Sequence, residues 1–409
     1  GGTGNVGDVS SSALLSDATV ETSDRPRVSR LAARAYACVT VSGLGVGCWG
    51  AGTALQAGAN KSGWAWPRWE GGGDAHVLPL SVALGEFHGC ALYSPYLLVC
   101  WGSNSKGQLG IDSVWQQGLS ALIAVQGLPP VEQVVVGATH TCVIVRGGLV
   151  MCFGGNEFGE LGLGQAGSWG RRAGDIARLP VVDLGDGKVA EQLASGDHHT
   201  CALLQPGSLV QCWGLNSDAQ LGNGWDVDAG LLPGDMGNGM LVTNFDAAVG
   251  AAVSIIAAGS YGCLVNTIRS LWCWGTVPWM GLTGAQFPIG IPLGFQVGLL
   301  SCGIGHCCAT DSANVLRCWG SGSRGQLGGD EFLDRGPSEA VVVTGVGHRS
   351  VVEVVVGDCF SCARFAGGDL TCWGCDQGGE LGSWSEGGSE PSLLRGWQDA
   401  EVLGTPWFH

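Results

Sequence analysis

Eighteen cysteines are the residues of this 409-residue chain with the most chemistry open to them, and their spacing weighs two chemistries against each other. Seven pairs recur: Cys38/Cys48, Cys90/Cys100, Cys142/Cys152, Cys201/Cys212, Cys263/Cys273, Cys308/Cys318 and Cys362/Cys372. Members are ten positions apart, eleven in the fourth pair. Directly opposed residues of an antiparallel hairpin have Cα atoms about 4.5–5.5 Å apart, within disulfide reach. Seven cross-strand disulfides follow, each closing a loop of about eleven residues and contributing roughly 3 kcal/mol on the chain-entropy model. Cys359 lies before Cys362 and Cys375 after Cys372 by the same three positions, which predicts Cys359–Cys375. For Cys302 and Cys307 two pairings are open: with each other, or Cys307 competing with Cys308 for Cys318. The rival chemistry is zinc, which favours Cys-x(2–4)-Cys knuckles. Only Cys359/Cys362 and Cys372/Cys375 have that spacing, and the other hairpins repeat the same pair without a second knuckle. Disulfides are therefore expected, and with them an oxidising, extracytoplasmic setting: secreted, cell-surface, periplasmic or an organelle lumen. Asn60-Lys61-Ser62 is a glycosylation sequon compatible with that setting.

Histidine offers acid–base chemistry, but His88, His140, His199 and His306 all stand two residues before a hairpin cysteine, where Tyr36, Tyr261 and Phe360 stand in other copies. An aromatic ring cannot replace a catalytic imidazole. Packing or a hydrogen bond to a neighbouring repeat is the expected role. The tryptophans of the recurring Cys-Trp-Gly have the same status. Trp64, Trp66 and Trp69 differ, because they fall in KSGWAWPRWEGGG (61–73), where the usual repeat breaks. With Trp169, Trp225, Trp279, Trp384 and Trp397 in comparable loops, they would rim one face and contact a protein or a sugar; the competing reading folds them back over the repeat edge. Acidic loops at Asp226, Asp228 and Asp235, and at Asp330, Glu331 and Asp334, lack the spacing of a calcium loop. No nucleophile elbow, zinc-protease or P-loop motif occurs, so no catalytic, cofactor-binding or metal-ligating residue is assigned.

These residues are positioned by one unit written seven times, about fifty residues per copy. In each, an apolar strand such as VEQVVVGATH (131–140) or VVEVVVGDCF (351–360) runs through a Gly into the first cysteine strand, and a turn leads to the strand ending Cys-Trp-Gly. The third copy has Phe153 in place of Trp. A bend, Gly-(Gln/Glu)-Leu-Gly, follows at 107–110, 159–162, 325–328 and 379–382, with Ala219 for the first Gly in copy four. Copies one and five have TALQAG (53–58) and TVPWMGLTG (276–284) instead. Stretches such as LPPVE (128–132) and LPVVD (179–183) predict a fourth strand. Four-stranded units that cannot bury their faces alone do so by radial stacking. The expected architecture is all-β, a seven-bladed β-propeller of four-stranded antiparallel blades over 28–409, preceded by an arm over 1–27. The segment AEVLGTPWFH (400–409) is expected to help close the ring.

Composition narrows the partners. Net charge is −16 and charged residues make up only 13%, with 45% hydrophobic residues and 73 glycines. Nucleic acid is not expected, since phosphate neutralisation needs a basic stripe. The groups Arg25, Arg27, Arg30, Arg34 and Arg171, Arg172, Arg178 read as solvated edges and loops. Nothing is long and apolar enough to insert into a membrane. The chain starts at Gly1, and the expectation is that any targeting segment lies outside this sequence.

The string His-Thr-Cys-Ala-Leu through Cys-Trp-Gly-x-Asn-x-x-Gly-Gln-Leu-Gly resembles the regulator of chromosome condensation repeat, over about 30–409 and with worn copies one and five. The resemblance implies a seven-bladed propeller, and in the founding member an exchange factor for a small GTPase. In scaffold and compartment the chain looks more like a secreted β-lactamase inhibitor protein of that family, which binds an enzyme through one face. The leading expectation is a non-enzymatic extracytoplasmic interaction or scaffold module whose partner is another protein. Alternatives are a glycan-binding propeller that uses its loop tryptophans and an exchange-factor-like regulator. No cofactor is expected.

Overall fold

The computed structural model describes residues 28–41, 45–50, 78–113, 124–240, 243, 250–347 and 349–381. Trp64, Trp66, Trp69, Trp384, Trp397, the sequon at Asn60, the arm at 1–27 and the segment 400–409 lie outside the described residues.

The described residues are all-β, with seven antiparallel sheets, each from one copy of the repeat. The first holds β1 (Val28–Ala33), β2 (Tyr36–Val41) and β3 (Gly45–Gly50); the second holds β4 (Pro79–Leu84), β5 (His88–Tyr93) and β6 (Leu97–Gly102). The third comprises β7 (Val131–Val136), β8 (His140–Val145) and β9 (Leu149–Gly154). The fourth comprises β10 (Val189–Ser195), β11 (His199–Gln205) and β12 (Leu209–Gly214). The fifth and sixth have four strands: β13 (Ala252–Ala258), β14 (Tyr261–Asn266), β15 (Leu271–Val277) and β16 (Leu282–Gly290), then β17 (Leu300–Cys302), β18 (His306–Thr310), β19 (Leu316–Gly320) and β20 (Val341–Val342). The seventh is β21 (Val351–Val356), β22 (Phe360–Phe365) and β23 (Leu370–Gly374). Strands follow one another in chain order within every sheet. Six of the seven first strands carry a register shift near their start, as between Val131 and Gln133, which adds local twist.

The expected fourth strand is reduced to single backbone bonds in several copies. Val182 N–H donates to Val150 O at 2.8 Å, and Val125 N–H to Leu98 O at 2.9 Å, but no ladder follows. Pro129, Pro130 and Pro180 lack the N–H a ladder needs, and Val131 and Glu132 already belong to β7.

Each sheet packs on the next through its first strand: β1 on β4, β4 on β7, β7 on β10, β10 on β13, β13 on β17 and β17 on β21. β21 packs in turn on β1. Seven apolar clusters fill the seven spaces between successive sheets. The one joining last to first contains Phe360 and Cys372 with Ala37, Val39 and Trp49. Removing one such buried ring to Ala costs about 3–5 kcal/mol.

Candidate interaction face

The hairpin residues are consumed by the fold. The cysteines pair as Cys38–Cys48, Cys90–Cys100, Cys142–Cys152, Cys201–Cys212, Cys263–Cys273, Cys308–Cys318 and Cys362–Cys372. In every hairpin the two partners are directly opposed in register, as Cys38 is to Cys48, Cys90 to Cys100, Cys142 to Cys152 and Cys263 to Cys273. Their Cα atoms lie 4.0–4.1 Å apart, the short spacing of a non-hydrogen-bonded pair. All of these cysteines are buried, so they hold the blades and present no sulfur to a partner. One extra turn residue in copy four, between Leu204 and Leu209, absorbs its eleventh position. Cys359 pairs with Cys375, and Cys302 pairs with Cys307, the local choice of the two left open.

The residue two before the first cysteine reaches into the next sheet. His88 Nε2 lies 2.7 Å from Thr141 Oγ1, His140 Nε2 3.0 Å from Thr200 Oγ1, and His306 Nε2 2.7 Å from Ser361 Oγ. Thr141 donates its own proton to Gln108 O and Ser361 to Gln326 O, so each hydroxyl accepts from the imidazole, whose Nε2 carries the hydrogen. Burial lowers the imidazole pKa to about 3 for His88, His199 and His306 and to about 4 for His140. All four are neutral at ordinary pH. In two copies whose following copy has no hydroxyl before its cysteine the residue differs: Tyr261 faces Cys307 and donates to Gly303 O at 2.6 Å, and Phe360 faces Ala37. His199 faces Gly262 and meets no hydroxyl there. Gly154, opposite His140, has φ +113°, and a Cβ there would lie 2.5 Å from Thr139 O.

The tryptophans explain the bend. Within the bend the Gln/Glu side chain accepts the N–H two residues earlier, and Asn216 Oδ1 accepts Leu221 N–H. The Gln/Glu carbonyl is then turned to the next sheet, where a tryptophan Nε1 finds it: Trp213 on Glu160, Trp274 on Gln220, Trp373 on Gln326 and Trp49 on Glu380, at 2.8–2.9 Å. Copy five lacks the bend, and Trp319 Nε1 in the next copy has no acceptor among the described residues. Trp101, which follows copy one, approaches the Tyr36 hydroxyl instead.

All these bends lie on one face, beside the turns between first and second strands. Leu215 N–H bonds His198 O and Ser103 N–H bonds Phe87 O. On this face Arg34, from the turn after β1, reaches Asp197 in the fourth sheet at 2.5 Å and Asp358 in the seventh at 3.4 Å. Backbone bonds run Asp358 to Arg34, Ala138 to Asp197 and Asp197 to Gly259. Burial, reinforced by Asp197, pushes the Glu86 and Asp358 carboxyls up, while Arg34 opposes it. His198 donates toward buried Glu160 at 3.4 Å, and that contact raises the His198 pKa. Burial pushes Glu160 up, but the His198 contact, His140 and a bend N–H outweigh it and hold the carboxyl low. Carboxylates thus outnumber cations at this mouth. Sequence reasoning missed the cluster; the signal was an acid directly after the strand-ending Gly at Gly85-Glu86, Gly196-Asp197 and Gly357-Asp358.

The loop tryptophans separate. Trp169 is half-buried: it pairs its backbone with Gly154 and packs between the second, third and fourth sheets. Trp279 stands edge-on to Tyr261 and donates to Ile304 O. Trp225 is 59% exposed, next to Val227 at 60%, on a loop tied to the same face by Asn216 Nδ2. Gly224 N–H bonds Gln286 O of β16 and Gly224 lies against the Phe287 ring, so the Trp225 loop touches a strand that carries Phe287 and Ile289, 48% and 46% exposed. Sequence reasoning missed Val227, Phe287 and Ile289; the last two lie on β16, nine residues long, whose counterpart β20 in the sixth sheet has only two. Among the described residues, no group of three His, Cys, Asp or Glu side chains is placed to hold a metal ion.

Comparison with known proteins fits this repeat geometry. The family model described as "Regulator of chromosome condensation (RCC1) repeat" matches residues 98–144, 131–160 and 190–220, which contain the His-Cys hairpins and bends just described. The chain thus carries regulator of chromosome condensation repeats over those residues. It is 27% identical to the ultraviolet-B receptor UVR8 of Arabidopsis thaliana over 74% of its own length and 66% of the receptor's. Human WBSCR16 shares the fold, with TM-score 0.67 at 20% identity over 81% of this chain and 84% of that one. So does Prp20p of Saccharomyces cerevisiae, with TM-score 0.58 at 18% identity over 74% and 72%; its crystal structure was described together with its binding to Gsp1p and histones. The repeat protein spans about two thirds of the plant receptor. No helix among its described residues is long and apolar enough to cross a membrane.

Proposed function

We propose that this chain is a closed seven-bladed β-propeller over 28–409, preceded by an arm over 1–27, that acts outside the cytosol as a non-enzymatic protein-interaction module. Seven inter-sheet clusters and the return contact of β21 on β1 support the ring. Buried cysteine pairs in every hairpin support the oxidising setting.

The observation that carries the interaction role is a contrast. Histidines, cysteines and tryptophans of the repeat are buried and engaged, whereas Trp225 and Val227 stand out on a loop whose backbone is fixed by Asn216. Rigid exposed apolar anchors are what protein interfaces use. Receptor and binding roles recorded for the relatives point the same way.

The test is native, non-reducing purification from the source followed by light scattering and mass spectrometry. A stoichiometric protein partner, retained in the presence of free glycans, is expected. Glycan-array binding with no protein partner, or turnover on a broad substrate panel, would overturn the reading. Free thiols at the hairpin pairs would overturn the compartment.

A further inference from the structure

Resting on that reading, we infer that the rim formed by the fourth and fifth sheets binds an extended, apolar protein segment flanked by lysine or arginine. The apolar part is made of exposed side chains on the loop and on the strand that the loop touches. From Leu232, 65% exposed, the loop passes Val227 and Trp225 to Phe287 and Ile289 on β16. β16 is the outermost strand of its sheet, with its Gln286 carbonyl taken by Gly224 N–H, and an extended segment can lie along the part of that edge that remains.

Charge selects the occupant. Between Lys188 and Arg317 the chain has one lysine or arginine, Arg269, and it sits in the turn between β14 and β15, at the end of the sheet away from this face. The rim loop carries Asp218, Asp226, Asp228 and Asp235. Asp235 is used internally, accepting the N–H groups of Gly230, Leu231 and Leu232, and Asp228 accepts Asn216 N–H. Asp226 is exposed between the exposed apolar side chains of Trp225 and Val227. A partner that covers this rim meets apolar surface edged by negative charge with no cation to offset it. Complementarity requires an apolar run with basic flanks. An anionic lipid surface would be repelled, and Val227, Leu232 and Ile289 offer nothing to sugar hydroxyls.

A random peptide library displayed on phage, panned against the oxidised full chain, tests this. Enriched peptides are expected to bracket apolar runs with Lys or Arg. Binding of a synthetic winner, followed by fluorescence anisotropy, should weaken at least about tenfold in Trp225→Ala and in Asp226→Lys, and on raising salt, with melting unchanged. Both side chains are exposed, so neither variant should disturb folding. Acidic or uncharged winners, or winners insensitive to Trp225→Ala, would overturn the partner chemistry while leaving a protein-binding role intact. Binding of phosphatidylserine vesicles or glycans that is lost in Trp225→Ala, with no peptide enriched, would overturn both.

Discussion

His140 and His199 occupy the same place in successive repeats, yet only His140 has a hydroxyl waiting in the next sheet. Their substitutions should therefore diverge. His140→Phe removes a bond to Thr200 and one to Ser195, a loss of about 0.5–1.5 kcal/mol for each bond. His199→Phe should cost less, because Phe360 already fits the equivalent space beside Gly357. Chemical denaturation midpoints measure both, and equal losses would refute the hydroxyl pairing. The same burial sets a pH dependence. The unfolded imidazoles take up protons near pH 6.5, while the folded ones wait until about 3 or 4. Between those values the unfolded state holds more protons, so stability is full above pH 6.5 and falls as pH drops toward 3. A denaturation midpoint flat across that window would contradict neutral buried histidines. The sequence places these residues in blade contacts without naming partners. The residue before each cysteine (Thr141, Thr200 and Ser361 against Gly262 and Ala37) holds that information, and it becomes legible only once the order of neighbouring sheets is known.

At the scale of the element, the hairpin register was legible because disulfide spacing and strand pairing must agree, and the opposed cysteines show that agreement from Cys38–Cys48 through Cys362–Cys372. The fourth strand was overread, since proline-containing linkers make single bonds where a ladder was expected. The hairpin cysteines are buried, whereas Cys302 and Cys359 are partly exposed. Mild reductant followed by alkylation and peptide mapping should therefore label Cys302/Cys307 and Cys359/Cys375 before any of the seven hairpin pairs. Early labelling of Cys48, Cys100, Cys152 or Cys273 would contradict the packing. The bend motif makes a paired prediction. Trp373→Phe removes a bond to Gln326 O and should cost about 0.5–1.5 kcal/mol more than Trp319→Phe, whose Nε1 has no acceptor among the described residues. Phe153 shows that the site takes a phenyl ring.

Across the whole molecule, what the sequence hid is what only the packing of sheets far apart in the chain brings together. Arg34, Asp197 and Asp358 come from the first, fourth and seventh sheets, and no local spacing relates them. The face they share with the Trp225 loop is likewise a product of how the sheets pack. Repetition marked the scaffold, and the departures from it marked where to look: Trp225 was singled out, whereas Val227, Phe287 and Ile289 emerged only when β16 came to lie against Gly224. The central claim is that binding belongs to this face and not to the repeated hairpins. Hydrogen–deuterium exchange of the protein alone and in complex with its partner tests it most directly. Protection of 215–235 and 282–290 is predicted, with the turns at Tyr96, Gly147 and Ser208 on the opposite face unchanged. Protection confined to those opposite turns would contradict the account.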